Sequence, residues 1–242
     1  MRTTISTLIA LFFVSFVFAQ TDTTIKIVAP KASYQARAND HFMFQLGYTN
    51  WNNKPDSIHT SGFPRTFNFY IMMDFPFKTN PHLSVAIGPG VASDNVFFDK
   101  TYIGLKDHTT SIRFQNLTDT SHFKKYKLNT TYLEAPVELR FRSNPENDAK
   151  SFKLALGAKV GYLINAHTKG KTYLDKNGNT LLTYIDKQSS TSFFNTTRLS
   201  GEARVGYGHF SLFATYAITA LFKDGFGPQV HPVTFGLSIS GL

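Results

Sequence analysis

The chain has no cysteine, and Trp51 is its single tryptophan among 242 residues. Disulfides and thiolate metal sites are therefore excluded. Long apolar runs are missing too. Beyond residue 19 a Lys, Arg, Asp, Glu, Asn or Gly interrupts every apolar segment within about ten residues, against the roughly 20 that a membrane-spanning helix needs. No amphipathic helix longer than a turn or two can be drawn. Any passage through a membrane must then be made by a closed barrel, the other fold that satisfies its own backbone in lipid. Acidic residues are also scarce, 16 against 25 Lys and Arg, for a formal charge of +9.

The one long apolar run is at the start. Met1-Arg2 is followed by "ISTLIALFFVSFVFA", and Val17-Phe18-Ala19 supplies a cleavage site ahead of Gln20. This layout predicts a secretory signal peptide over residues 1–19. Export removes nucleic acid as the partner of the basic charge. It leaves solvated loops, or attraction to anionic lipid head groups and acidic polysaccharide. Residues 20–40 show no pattern and read as a periplasmic leader, with the folded domain over 41–242.

Eight strand signals follow. "HFMFQLGYTNW" puts Phe42, Phe44, Leu46 and Tyr48 on one face, and "TFNFYIMMDFPF" keeps period two from Phe67 to Phe77. Next come "LSVAIGPGVA" and "YLEAPVELRF", the latter alternating Leu133, Ala135, Val137, Leu139 and Phe141 with Tyr132, Glu134, Pro136, Glu138 and Arg140. "FKLALGAKVGYLINA" opposes an apolar stripe to Lys153, Gly157, Lys159, Gly161 and Asn165, and "TRLSGEARVGY" opposes one to Arg198, Ser200, Glu202 and Arg204. "FSLFATYAITALF" and "PVTFGLSISGL" complete the set.

Connection lengths sort by parity. Short turns, "KTNPH", "RSNPENDAKS" and "GH", alternate with long segments at 50–65, 93–125, 167–195 and 223–232. Strands of this length and this alternation predict an all-β fold, an eight-stranded antiparallel transmembrane β-barrel with short periplasmic turns and long extracellular loops. Asn177-Gly178 marks a hairpin that carries the fifth and sixth strands beyond the membrane as a ribbon. Pro136 and Pro89 each predict a bulge or break in the ladder.

An eight-stranded barrel has an interior just wide enough to be filled by side chains. Its inward residues must satisfy one another. They are expected to form a structural polar network of Asp74, Glu134, Glu138, Arg140, Lys153, Lys159, Arg198, Glu202 and Arg204. A hairpin centred on Phe141 and Phe152 places Glu134 opposite Lys159, with Lys153 diagonally beside Glu138. The same ions are also compatible with a small pore.

No catalytic, cofactor or metal residues are expected. The sequences His82-Leu83-Ser84 and His209-Phe210-Ser211 sit at short turns, away from the leaflet where a lipid-modifying barrel enzyme works. Among His108, His122 and His167, only His122 has a serine beside it, the loop residue Ser121. Asp175, Asn177, Asn179 and Asp186 imitate part of a calcium loop, but Thr180 stands where that turn needs Gly.

With these segments in place, the chain resembles a known family. "YLEAPVELRF" resembles the "YLEIPLLLKY"-type strand of the PorT-like outer-membrane β-barrel proteins (porin family) of Bacteroidetes. "LGAKVGYLINAHTKGK" is similar to that family's "GPYVGYLL…K" strand, and "YAITALFK" to its penultimate strand. The resemblance implies a non-enzymatic outer-membrane barrel, an accessory or interaction subunit of a secretion or assembly complex. Its partners would be outer-membrane lipid, lipopolysaccharide and other outer-membrane or periplasmic proteins. A small pore and a lipid-A-modifying enzyme are the alternatives. Intact-mass measurement of the chain recovered from outer membranes is expected to place its first residue at Gln20; a mass retaining Met1–Ala19 would refute the cleavage.

Overall fold

The computed structural model describes residues 42–241 apart from Ser57 and His108, so the expected signal peptide and leader lie outside the described residues. The described residues form thirteen strands and one short 3-10 turn. β1 (Phe42–Asn52) is followed by β2 (Arg65–Ile71) and β3 (Met73–Pro76), then β4 (Leu83–Ile87) and β5 (Gly90–Phe98). A small hairpin of β6 (Thr101–Gly104) and β7 (Arg113–Asn116) precedes the long β8 (His122–Arg142) and β9 (Phe152–Leu174). β10 (Thr180–Ser189), β11 (Thr197–Tyr207), β12 (Phe210–Ala217) and β13 (His231–Ser240) complete the chain.

The antiparallel pairings run round a ring. β13 pairs with β1, β1 with β2, β2 with β5, and β5 and β4 with β8. β8 pairs with β9, β9 with β11, β11 with β12, and β12 with β13. Counting the interrupted β2–β3 and β4–β5 as one stave each gives eight staves, the number of strand signals in the sequence. The break between β4 and β5 has a local cause. Gly88-Pro89 divides β4 from β5 opposite Ala135-Pro136 of β8. Pro136 can only accept there, from the Gly88 amide at 3.4 Å, because it has no N–H to return. Its ladder to β9 continues unbroken through the pair with Lys159.

Alternation sorts the two faces. On β8, Leu133, Val137 and Leu139 are 44–51% exposed, whereas Tyr132, Glu134, Glu138, Arg140 and Arg142 are buried at 3% or less. Inside the ring, glycine makes room where Phe213 fills the lumen. A side chain on Gly47 would meet the Phe213 ring at 3.0 Å, and one on its partner Gly236 would meet the Leu46 carbonyl at 2.1 Å.

Two features depart from the sequence reading. The first is an extra residue in β9. Between Leu163 and Asn165 the register with β8 shifts, and alternation inverts above that point. Asn165, expected on the Lys153 face, faces outward, as do His167, Lys169 and Lys171, because a one-residue slip exchanges the faces.

The second concerns the long loops. They fold together into an apolar core of their own over that end of the ring. Trp51 lies at its centre, edge-on to Phe98, Phe114 and Phe222 at 5.5–6.4 Å between ring centres. The Asn177-Gly178 ribbon forms, yet its returning strand is the separate β10 rather than an extension of the sixth stave. Asp175 organises the tip by accepting from the Asn179 side chain and from the Asn179 and Asn177 backbone amides, and these bonds hold its carboxyl below its ordinary range.

Gly236→Val is expected to lower unfolding stability in detergent by about 1–3 kcal/mol through overpacking, while Gly201→Ala leaves it unchanged. No atom lies within 4 Å of where the Gly201 side chain would start. Urea titration followed by heat-modifiable gel migration measures both; equal stabilities would show that the wall has slack between Gly236 and the Leu46–Gly47 backbone.

Candidate functional site: the ion-filled lumen

The inward positions of the staves carry the charges. All nine residues expected inside the ring have their side chains there, and the structure joins them into ion-pair groups. Nearest the long-loop end, Arg198 spans Asp94 and Glu134 at 2.5 Å each, its guanidinium stacked 3.8 Å from the centre of the Tyr132 ring. The Tyr70 hydroxyl donates to the other oxygen of Glu134 at 2.6 Å. Below, Lys159 pairs closely with Glu202 and donates to Gln45 at 2.9 Å. Gln45 in turn donates to Glu202 at 2.7 Å.

A third group reaches the short turns. Arg204 spans Glu202 at 3.5 Å and Glu138 at 2.6 Å, and Arg140 shares Glu138 at 2.7 Å. Asp74 lies 3.8 Å from Arg140 and 3.5 Å from Arg142, and accepts from Ser84 at 2.7 Å. Arg142 and Lys153 then converge on Asp148 of the 3-10 turn at 3.1 and 2.5 Å.

The partners differ from those expected. Glu134 stands opposite Gly161, not Lys159, which faces Pro136. Lys153 stands opposite Arg142 and bonds to Asp148 instead of lying beside Glu138. The hairpin closes one pair later than a turn centred on Phe141 and Phe152 would have it: Arg142 still belongs to β8, and the Ser143 amide donates to the Phe152 carbonyl. Such a two-residue change keeps every side chain on its face while replacing every partner.

Five participants escaped the sequence reading: Gln45, Tyr70, Asp94, Arg142 and Asp148. Gln45, Tyr70 and Arg142 occupy inward parity positions and could have been found by extending the alternation. Asp94 required knowing that the stave runs on to Phe98. Asp148 sits in a turn, where alternation has nothing to say.

Among the described residues these pairs join six carboxylates (Asp74, Asp94, Glu134, Glu138, Asp148, Glu202) to six cations (Arg140, Arg142, Lys153, Lys159, Arg198, Arg204). The interior is formally neutral. Little space is left between the groups: cavities of about 20 Å³ beside Glu134 and Lys159 and about 10 Å³ beside Arg140 and Lys153. The larger has room for a single water, which needs about 10–15 Å³.

The histidines are engaged elsewhere. His82, His122 and His209 direct Nδ1 at the backbone carbonyls of Arg142, Thr120 and Ser240, at 2.8, 3.1 and 3.2 Å. Ser84 is spent on Asp74 and Ser211 is buried. No group of three His, Cys, Asp or Glu suited to a metal occurs among the described residues.

Removing one member of a buried ion cluster strands its partners, at a cost of about 3–5 kcal/mol. Glu138→Gln leaves Arg140 and Arg204 sharing a neutral amide, so a loss of that order is expected in urea unfolding, with Val137→Ile on the neighbouring outward position nearly silent. Equal midpoints would show the cluster to be energetically idle.

The family model described as "Outer membrane protein beta-barrel domain" matches residues 18–225. A search of curated proteins found no match. Among solved structures, Ail, the attachment invasion locus protein of Yersinia pestis, is similar at 16% identity, over 82% of this chain and 96% of that one, with a TM-score of 0.35; that structure is a complex with the heparin analogue sucrose octasulfate. A second Ail structure gives 16% identity, 82% and 95% coverage and a TM-score of 0.33. With the match spanning most of its length, the chain belongs to the outer-membrane protein β-barrel domain family and is a protein of the cell outer membrane.

Proposed function

We propose that this chain is a non-conducting, non-enzymatic barrel that acts through its surfaces, as an accessory or interaction subunit of an outer-membrane secretion or assembly complex. In this reading the signal peptide is removed, the leader and short turns face the periplasm, and the folded loop head faces outward. The chain would then be a PorT-like protein of Bacteroidetes.

The observation that carries the reading is the state of the lumen. Six ion-paired carboxylates and six cations occupy it, the gap beside Glu134 is about 20 Å³, and the apolar loop core stands over one end. A path for hydrated ions needs a continuous polar bore. The loop head supports the second half of the proposal. Loops that merely joined strands would not need a core containing Trp51, Phe98, Phe194 and Phe222, each buried at 4% exposure or less. A rigid head of this kind suits recognition, since preorganised surfaces bind without the entropy cost of ordering.

The wild-type chain in planar bilayers is expected to show no steady conductance, and cross-linking in intact cells followed by purification in mild detergent is expected to recover it with a second envelope protein in fixed stoichiometry. Stable ohmic steps would overturn the sealed-lumen reading. Recovery as an isolated monomer under cross-linking would overturn the subunit reading.

A further inference from the structure

The outward face above the β9 bulge carries charge that the lumen does not use. Lys125 stands directly opposite Lys171, Lys127 opposite Lys169, and Lys169 opposite Lys187 of β10. Like charges directly opposed across a sheet are destabilising. Neighbouring strands lie about 4.8 Å apart, so lysines on β8, β9 and β10 stand within about 10 Å of one another. Arg65 continues the row on β2: it pairs in register with Asn95, whose side-chain oxygen accepts from Lys127 at 2.6 Å. Arg65 and Lys127 both approach the Phe97 ring, at 5.2 and 6.0 Å.

Among the described residues, nothing acidic answers this row. The other outward residues at this level, Asn95, Phe97, Asn129, Thr131, Asn165 and His167, include no carboxylate.

The place of the row in the wall identifies what is missing. On the same face, towards the short turns, lies the apolar band that includes Val91, Leu133, Val160, Tyr162 and Ile164. Next to Arg65 and Asn95 a groove of about 750 Å³ opens on the outer wall between β13, β1 and β2, lined by Leu46, Tyr48, Phe63, Phe67, Phe235 and Leu237. Tyr48 packs between Phe63 and Phe235, 5.3 Å from each. Apolar groove and unpaired cations therefore adjoin at the level where hydrocarbon gives way to head groups.

We infer that this face is a binding site for a phosphorylated, multiply acylated glycolipid of the outer leaflet, with its phosphates on Arg65, Lys127 and Lys169 and an acyl chain in the Tyr48–Phe235 groove. The inference rests on the orientation in the proposed function, which turns the loop head outward. It specifies a ligand class that the orientation alone does not require. Cations near an anionic lipid surface and buried methylenes each add to binding. Charge and apolar length thus act together, and neither inorganic phosphate nor a neutral lipid supplies both.

The mature chain, folded in a neutral detergent, is titrated with bisphosphorylated lipid A, with the same lipid after removal of its phosphates, and with inorganic phosphate, and bound lipid is counted by native mass spectrometry. Retention of the phosphorylated lipid is expected, with at least about a tenfold weakening in Lys127→Gln/Lys169→Gln and in Tyr48→Ala/Phe235→Ala. The lysine variant should stay folded by heat-modifiable migration, because it relieves repulsion. Equal retention by wild type and both variants, equal retention of the two lipids, or complete displacement by millimolar phosphate would overturn the site. Labelling of Lys176→Cys from outside intact cells, on this cysteine-free chain, tests the orientation separately. Outside labelling without lipid binding sinks the lipid site alone; labelling only after lysis sinks the orientation.

Discussion

Everything inside this barrel depends on charge neutrality in a space with room for almost no solvent. Eight staves enclose a lumen that side chains fill, so each buried carboxylate must find a cation within it. Six of each sign do so, and Glu202, Glu138, Asp74 and Asp148 each serve more than one partner. Because those partners come from different staves, the ions fix which residue faces which. A slip of β8, β9 or β11, which carry most of these ions, would leave charges stranded at a cost of several kcal/mol.

The same neutrality explains why the outer wall is asymmetric. Acidic side chains are scarce in this chain, and the lumen absorbs six of the sixteen. Among the described residues, the outward lysines of β8, β9 and β10 are left without acidic partners on their own face. A basic outer rim is thus tied to an interior that consumes carboxylates, and the rim lies on the edge of the apolar band, where anionic head groups would complement it.

The loop head adds a third constraint. β8 and β9 run on for 21 and 23 residues, well beyond the roughly 9–11 that cross hydrocarbon, and their upper halves form a wall against which the loops pack. This makes the long-loop end a folded body with Trp51 in its core. Aromatic residues that composition alone would assign to a membrane interface serve there as ordinary packing.

Much of this was legible in the residues. Period-two alternation marked eight staves and their faces, because a strand's side chains must alternate, and connection lengths separated the two ends. The nine lumen charges followed from parity alone. Register was not legible: pairing Glu134 with Arg198 and Lys159 with Glu202 was decided by the hairpin closing after Arg142, a choice that leaves every face unchanged. Nor could alternation anticipate the extra residue near Ile164 that turns His167, Lys169 and Lys171 outward, or the contacts that gather distant loops around Trp51. Local periodicity determines which side a residue takes; only closure of the ring decides whom it meets, since that choice is made by packing between segments far apart in the chain.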